Sequence, residues 1–178
     1  PKPPNPKNPK PLFIEFKWLN ENHKNFLRSR AFKGIFRVFF KKFKAVEVQN
    51  ENHLLLEPVV NDYAKRVKGI FALNERLANE IKKTLLKEEV PIVLAGDHSS
   101  ALGTISGIKM AYPNKRIGVI WIDAHADLHT PYTTPSGNMH GMPIACVLGE
   151  DNKERQQNKP DDETIEYWEK LKALGGIT

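Results

Sequence analysis

Between residues 62 and 88 apolar side chains recur at spacings of three and four. Ile70, Leu73, Leu77, Ile81 and Leu85 fall on one stripe, which predicts an amphipathic helix. Its other face carries Glu75, Arg76, Glu80, Lys82, Lys83 and Lys87, the composition of a solvated surface. The pattern then changes. Residues 91–98, Pro-Ile-Val-Leu-Ala-Gly-Asp-His, form a short apolar run that predicts a strand over 92–95. Residues 99–111 return to helical spacing, with Ser99 or Ser100 as N-cap. A second apolar run at 117–122 predicts another strand. Strand, crossover helix and strand make a βαβ unit with parallel strands and a right-handed connection. Gly103 and Gly107 lie four apart inside the crossover helix, where each costs about 1 kcal/mol relative to alanine. They predict close approach of that helix to the sheet. A phosphate cradle is the alternative, and its Gly-Lys-Ser/Thr ending is absent.

Elsewhere the patterning is weaker. Residues 46–60 read as a loop with a short strand, and 142–148 as a short apolar helix. Residues 150–160 are polar, which predicts a mobile connection. Residues 161–174 regain helical spacing, with Ile165, Trp168 and Leu171 on one stripe. Asp161, Asp162 and Glu163 complement the positive end of that helix's dipole, and Gly175 and Gly176 close it. Residues 177–178 look like the start of a further strand. The alternation predicts an α/β fold, a three-layer α-β-α sandwich with a parallel sheet.

The chemistry concentrates in residues 121–141, WIDAHADLHTPYTTPSGNMHG. Side chains at i, i+2 and i+4 of a strand share a face, so Asp123, His125 and Asp127 start out aligned. A fully extended chain spreads them over about 13 Å, at roughly 3.3 Å per residue. One ion cannot hold all three at that span. Either the chain curls on leaving the strand, or the ligands serve two ions, which in paired hydrolytic centres sit roughly 3.5–4 Å apart. The parallel arrangement brings His98 to the same carboxyl edge of the sheet, where ligand sites of open α/β sheets lie. A lone histidine after a strand is more often a hydrogen-bonded loop residue. An Asp-x-His-x-Asp run there is different, because clustered polar groups at a strand end are costly unless something satisfies them. His98, Asp123, His125 and Asp127 are therefore the candidate metal ligands. Carboxylates and imidazoles without thiolate favour manganese, iron or zinc over a structural zinc cage. The Thr, Pro, Ser, Gly and Asn of 133–138 fit an ordinary turn equally well.

Charge divides the chain. Of its 178 residues, 1–45 hold 12 Lys/Arg against 2 Asp/Glu, whereas the remainder holds 15 against 19. Eight of the nine Phe also lie in the first 45. This sets a basic extension, 1–45, apart from a domain over 46–178. Its opening PKPPNPKNPKP is expected to be extended and disordered. Residues 12–45 admit three readings: a basic aromatic surface for nucleic acid, an amphipathic membrane-surface helix, or sequence foreign to the domain. A Phe, Lys and Asn bias is what an AT-rich frame yields out of register. No signal peptide fits the Pro-rich start, and no apolar run approaches the roughly 20 residues of a membrane span. The single cysteine, Cys146, forms no internal disulfide, so a cytoplasmic location is expected.

GDHSSALGTISG (96–107), WIDAHADLHTP (121–131) and TTPSGNMHGMP (133–143) together resemble the ureohydrolase family, and within it the arginases. The third motif, with its Ser-Gly-Asn-x-His-Gly core, is the arginase-type one, and the likeness covers roughly 46–150. The resemblance implies a binuclear manganese centre that hydrolyses L-arginine to L-ornithine and urea through an activated hydroxide. By motif position it implies His98, Asp123 and Asp127 as ligands of one manganese. Asp123 would bridge to a second ion that His125 also binds. Asp127 and His140 take catalytic positions, His140 as the proton-shuttling histidine; imidazole ordinarily titrates near neutrality, which suits that task. His129, Thr134, Ser136 and Asn138 fall where arginases contact the α-carboxylate and α-amino groups. His129 departs from the pattern, since arginases commonly carry Asn there.

Family members also carry a later Asp-x-Asp pair and a Glu near the guanidinium, neither of which occurs in these 178 residues. The chain is thus expected to be an N-terminal portion that binds manganese weakly and turns over little by itself. The resemblance implies a homo-oligomer, trimer or hexamer, acting on a small molecule, with no nucleic-acid or membrane partner. Agmatinase or another ureohydrolase is the nearest rival, and a non-catalytic binding or regulatory fragment the next.

Overall fold

The computed structural model describes residues 11–16 and 44–177. Three strands form a parallel sheet in the order β2-β1-β3, with β1 at Pro11–Phe16, β2 at Lys44–Val48 and β3 at Val90–Leu94. Ile14 stands opposite Val46 on one side and Val93 on the other. β1 lies inside the stretch that charge sets apart. The three readings of 12–45 otherwise fall mainly on residues 17–43, outside the described residues, as does the expected disorder of 1–10.

α1, Val67–Leu86, is the amphipathic helix predicted. Leu73, Leu77 and Ile81 are fully buried and form one core with Val48, against which Val46, Leu85 and Val93 pack. This joins the helix stripe to one face of the sheet. The helix begins at Val67 and not at 62, because the preceding turn is committed elsewhere. Arg66 adopts a left-handed φ of 57° and donates from Nε to the Leu54 carbonyl at 2.9 Å. The Lys65 N–H donates to the carbonyl of Gly137 at 2.8 Å.

α2, Ser100–Ala111, lies against α1. Its glycines approach that helix, not the sheet as expected. A Cβ on Gly103 would stand 2.7 Å from the Asn74 carbonyl oxygen, and one on Gly107 would stand 2.6 Å from that of Ala78. Asn74 is fully buried, accepts from the Gly103 N–H at 2.7 Å and donates to the Ile70 carbonyl at 2.9 Å. A buried carboxamide is thereby satisfied on both sides, at a separation only glycine permits.

The run at 117–122 forms no strand, which corrects the predicted βαβ unit. It stands across a cleft of about 500 Å³ from β3, with Val119 and Trp121 facing Val93 and Ile105. Ile120 and Ile122 are 90% and 93% exposed. The indole of Trp121 stacks on the His98 imidazole, centroids 4.8 Å apart, and its Nε1–H donates to the His125 carbonyl at 3.2 Å. These contacts tie the run to the turn after β3 without a strand ladder.

α3, Pro143–Val147, and α4, Asp162–Ala173, complete a second core in which Trp168, Leu171, Leu102, Met142 and Cys146 are fully buried. Burial pushes the Cys146 thiol well above the ordinary thiol range. Asp161 caps α4, its Oδ1 accepting from the Thr164 N–H at 2.8 Å. Residues 177–178 show no strand as far as Ile177, whose N–H donates to the Val147 carbonyl at 2.8 Å. No helix among the described residues is long and apolar enough to cross a membrane.

The polar connection at 151–158 is tied down rather than mobile. The Asp151 carboxylate accepts from Trp168 Nε1 at 2.8 Å and from Lys172 Nζ at 2.7 Å, with Lys153 Nζ at 3.2 Å. Its carbonyl accepts from Thr130 Oγ1 at 2.7 Å. Burial raises the Asp151 pKa, but donation from Lys172, Trp168 and Lys153 outweighs it and holds the carboxyl below its usual range.

Two outcomes follow from this packing. Gly107→Ala should destabilise by about 1–3 kcal/mol, more than the roughly 1 kcal/mol alanine contributes to helix propensity, and so lower the melting temperature. A depressed carboxyl pKa stabilises the fold fully above the unfolded value of about 3.9. That contribution is lost as pH falls through the lower folded value. Asp151→Asn should therefore melt earlier than wild type at pH 7, with the gap closing on acidification in calorimetry.

Candidate metal centre

After β3 the chain turns sharply into α2. Asp97 Oδ1 accepts from the Ser99 N–H at 2.7 Å and from the Ser99 hydroxyl, while Ser100 Oγ donates to the Asp97 carbonyl at 2.7 Å. Ser99 is the N-cap residue, as sequence expects, but its side chain bonds back to Asp97 and not to the helix amides. Between these residues the turn presents His98, whose Nδ1 lies 3.1 Å from Asp127 Oδ2 and 3.4 Å from Asp123 Oδ2.

The carboxylates reach it because the chain curls, the first of the two alternatives. Asp123 Oδ1 accepts from the His125 N–H at 2.8 Å, folding the backbone into an Asx-type turn. Asp127 then takes a left-handed φ of 51°. One ligand atom each from His98, Asp123 and Asp127 fall within 4.8 Å of one another. His125 remains outside this triad, with Nδ1 3.5 Å from Asp123 Oδ1 and its side chain 83% exposed. Donation from the His125 N–H holds the Asp123 carboxyl below the usual carboxylate range, against a smaller effect of burial and with help from the His98 and His125 imidazoles.

Asp127 provides the test of fit for a cation. Its side chain is buried, and Oδ2 accepts no hydrogen bond despite the nearby His98 nitrogen. A buried carboxylate oxygen without a donor is costly, and a divalent cation would satisfy it. Two carboxylates and an imidazole are a donor set for manganese-type ions. The His98 side chain is 41% exposed, so the cluster is open to solvent.

His129, Thr134, Ser136, Asn138 and His140 all line a single cleft of about 580 Å³, together with His125 and Asp127. Thr134 is buried, and its Oγ1 accepts from the Gly137 N–H at 2.9 Å and the Ser136 N–H at 3.3 Å. With its lone pairs so used, that hydroxyl has only donation left to offer. Ser136 Oγ in turn accepts from the Asn138 N–H at 3.2 Å. Gly137 has a φ of 71° and abuts the Asp62 carbonyl so closely that no Cβ fits. His129 donates its N–H to the Gly141 carbonyl at 3.1 Å, and its Nδ1 lies 3.5 Å from Thr133 Oγ1. His140 is exposed on the 3-10 turn Met139–Gly141.

Sequence reasoning missed Trp121, which backs the His98 ring, and Asp97, although Asp-x-Ser before a helix is a legible turn signal.

The sequence model of the Arginase family matches residues 30–159. The arginase of Bacillus subtilis (strain 168) is 48% identical over 94 residues, which make up 52% of this chain and 31% of that protein. The Entamoeba histolytica arginase is 45% identical over 87 residues, 48% of this chain and 29% of the relative. Among solved structures, Entamoeba histolytica arginase in complex with L-ornithine matches with a TM-score of 0.65 and 29% identity, covering 81% of this chain and 51% of that one. A Bacillus subtilis arginase structure gives 0.67 at 26% identity, covering 94% and 52%. The chain thus spans about a third of the length of these curated relatives and about half of the solved chains.

Asp127→Asn keeps a residue that tolerates the left-handed backbone but removes the anionic ligand. Manganese affinity, read by paramagnetic resonance titration, should fall by at least the roughly 10–100-fold that loss of an outer-shell partner costs. Unchanged affinity would disqualify the triad.

Proposed function

The chain belongs to the arginase family, and on that premise we propose that it performs arginase-type hydrolysis of the L-arginine guanidinium to L-ornithine and urea. The observation that carries this reading is the convergence of His98, Asp123 and Asp127 beside the cleft that holds His129, Thr134, Ser136, Asn138 and His140. Two manganese ions would be the cofactor: His98, Asp123 and Asp127 would hold one, and Asp123 and His125 the other. When bound, such ions supply Lewis acidity and bring the pKa of water towards neutrality.

The rest falls to the chain's own groups. Asp123, with its depressed pKa, remains anionic at neutral pH and so remains a ligand. Asp127 directs its unpartnered oxygen to the same point. The amino-acid head group docks along the turn: the Thr134 hydroxyl donates to the α-carboxylate, with Ser136, Asn138 and His129 around it. Water oxygen bonds to the guanidinium carbon and gives up both of its protons, the C–N bond to the ornithine side chain breaks, and the departing nitrogen gains two, one passed on directly and one from a side chain. His140, exposed at the cleft, exchanges protons with solvent and delivers that one. The Entamoeba histolytica relative, solved with L-ornithine, supports the choice of product.

Agmatine, the substrate of the sister activity, lacks the α-carboxylate to which, on this reading, the Thr134 hydroxyl donates. Supplied with manganese, the chain should release urea from L-arginine faster than from agmatine, and Asp123→Asn should abolish both. The absolute rate should be low, since three side chains would hold one ion and only two the other. A preference for agmatine would overturn the substrate assignment. Bound manganese with no urea from either compound would favour the non-catalytic reading.

A further inference from the structure

The turn that carries Thr134, Ser136 and Asn138 belongs to no sheet or helix, so its carbonyls need partners from elsewhere. Residues 157 and 158 supply them. Asn158 Nδ2 donates to the Thr134 carbonyl at 2.7 Å and to the Pro131 carbonyl at 3.1 Å. The backbone N–H groups of Gln157 and Asn158 both donate to the Tyr132 carbonyl, at 2.9 and 3.0 Å. Asn158 does not line the cleft itself.

We infer that Asn158 is a positioning residue for head-group recognition: by bracketing Tyr132 and Thr133 with two donated N–H groups, it sets where the Thr134 hydroxyl and its neighbours meet an α-carboxylate. The inference rests on the reading of the cleft as an amino-acid site. The physical requirement is narrow. Two N–H groups must leave one uncharged nitrogen towards two carbonyls, and a primary carboxamide offers that geometry. The segment bearing Asn158 is anchored independently of the cleft, by the Asp151 carboxylate to Trp168 and Lys172 of α4. Displacing Thr134 also displaces Gly137, whose N–H its hydroxyl accepts. The effect of Asn158 therefore reaches the far side of the turn, while the metal ligands, held from β3 and α3, stay where they are.

Asn158→Asp is nearly isosteric, but it sets a carboxylate against two carbonyl oxygens. The test titrates L-ornithine and putrescine, the same diamine without the α-carboxylate, into the full chain at saturating manganese by calorimetry. Wild type should prefer L-ornithine. The variant should bind L-ornithine about tenfold more weakly, the scale of an unsatisfied buried partner, with putrescine and manganese affinities unchanged. A general structural defect would weaken all three together. If Asn158→Asp does not fold, Asn158→Ala carries the same expectation. A variant that keeps the wild-type preference would overturn the inference alone. A wild-type chain with no preference would overturn the head-group reading and the inference with it.

Discussion

The bend at Asp127 is the constraint on which the rest of the site depends. A left-handed backbone costs an ordinary L-residue about 1–2 kcal/mol, less for Asp and Asn. Here it is compensated from two directions. The Asp127 carbonyl accepts from the N–H groups of Ile144 and Ala145, at 3.2 and 3.3 Å, in the first turn of α3. Those are donors that a helix start leaves without intrahelical partners. The carboxylate meanwhile swings to within 3.1 Å of His98. A right-handed or extended Asp127 would surrender one contact or the other. The short helix α3 is thus more than a support for the loop; its free amides fix the direction of the Asp127 carboxylate.

A similar economy governs the polar turn beyond it. Thr134 uses its side chain to shape the backbone and its carbonyl to meet Asn158, which leaves its hydroxyl proton directed by elimination. A residue that shapes a turn through its hydroxyl and its carbonyl at once is hard to replace, because a substitution that preserves one bond tends to lose the other.

How much of this was legible in the sequence depends on the range of the interactions. The stripe from Ile70 to Leu85 reports a local period, and α1 follows it closely. The ligand spacing was legible too, and so was the meeting of His98 with Asp123, even though the strand expected to deliver it is absent from 117–122. An apolar run cannot say whether a ladder partner accepts it, and here Trp121 binds His98 and His125 instead. Gly103 and Gly107 announced a close approach without naming the neighbour, which proved to be Asn74 and Ala78 of α1. Asn158 gave no sign at all. Its bonds reach back 24 and 27 residues to carbonyls, which every residue possesses.

The burial of Cys146 carries one more consequence. It lies in α3, one residue beyond the amide that grips Asp127, and its thiol is fully enclosed and held protonated. An alkylating reagent in solution needs thiolate and access, and the closed fold denies it both. Modification must therefore wait for α3 to lift, so the pace of labelling becomes a clock for the opening of the centre's backing. As the chain's sole cysteine, it gives that clock a single hand.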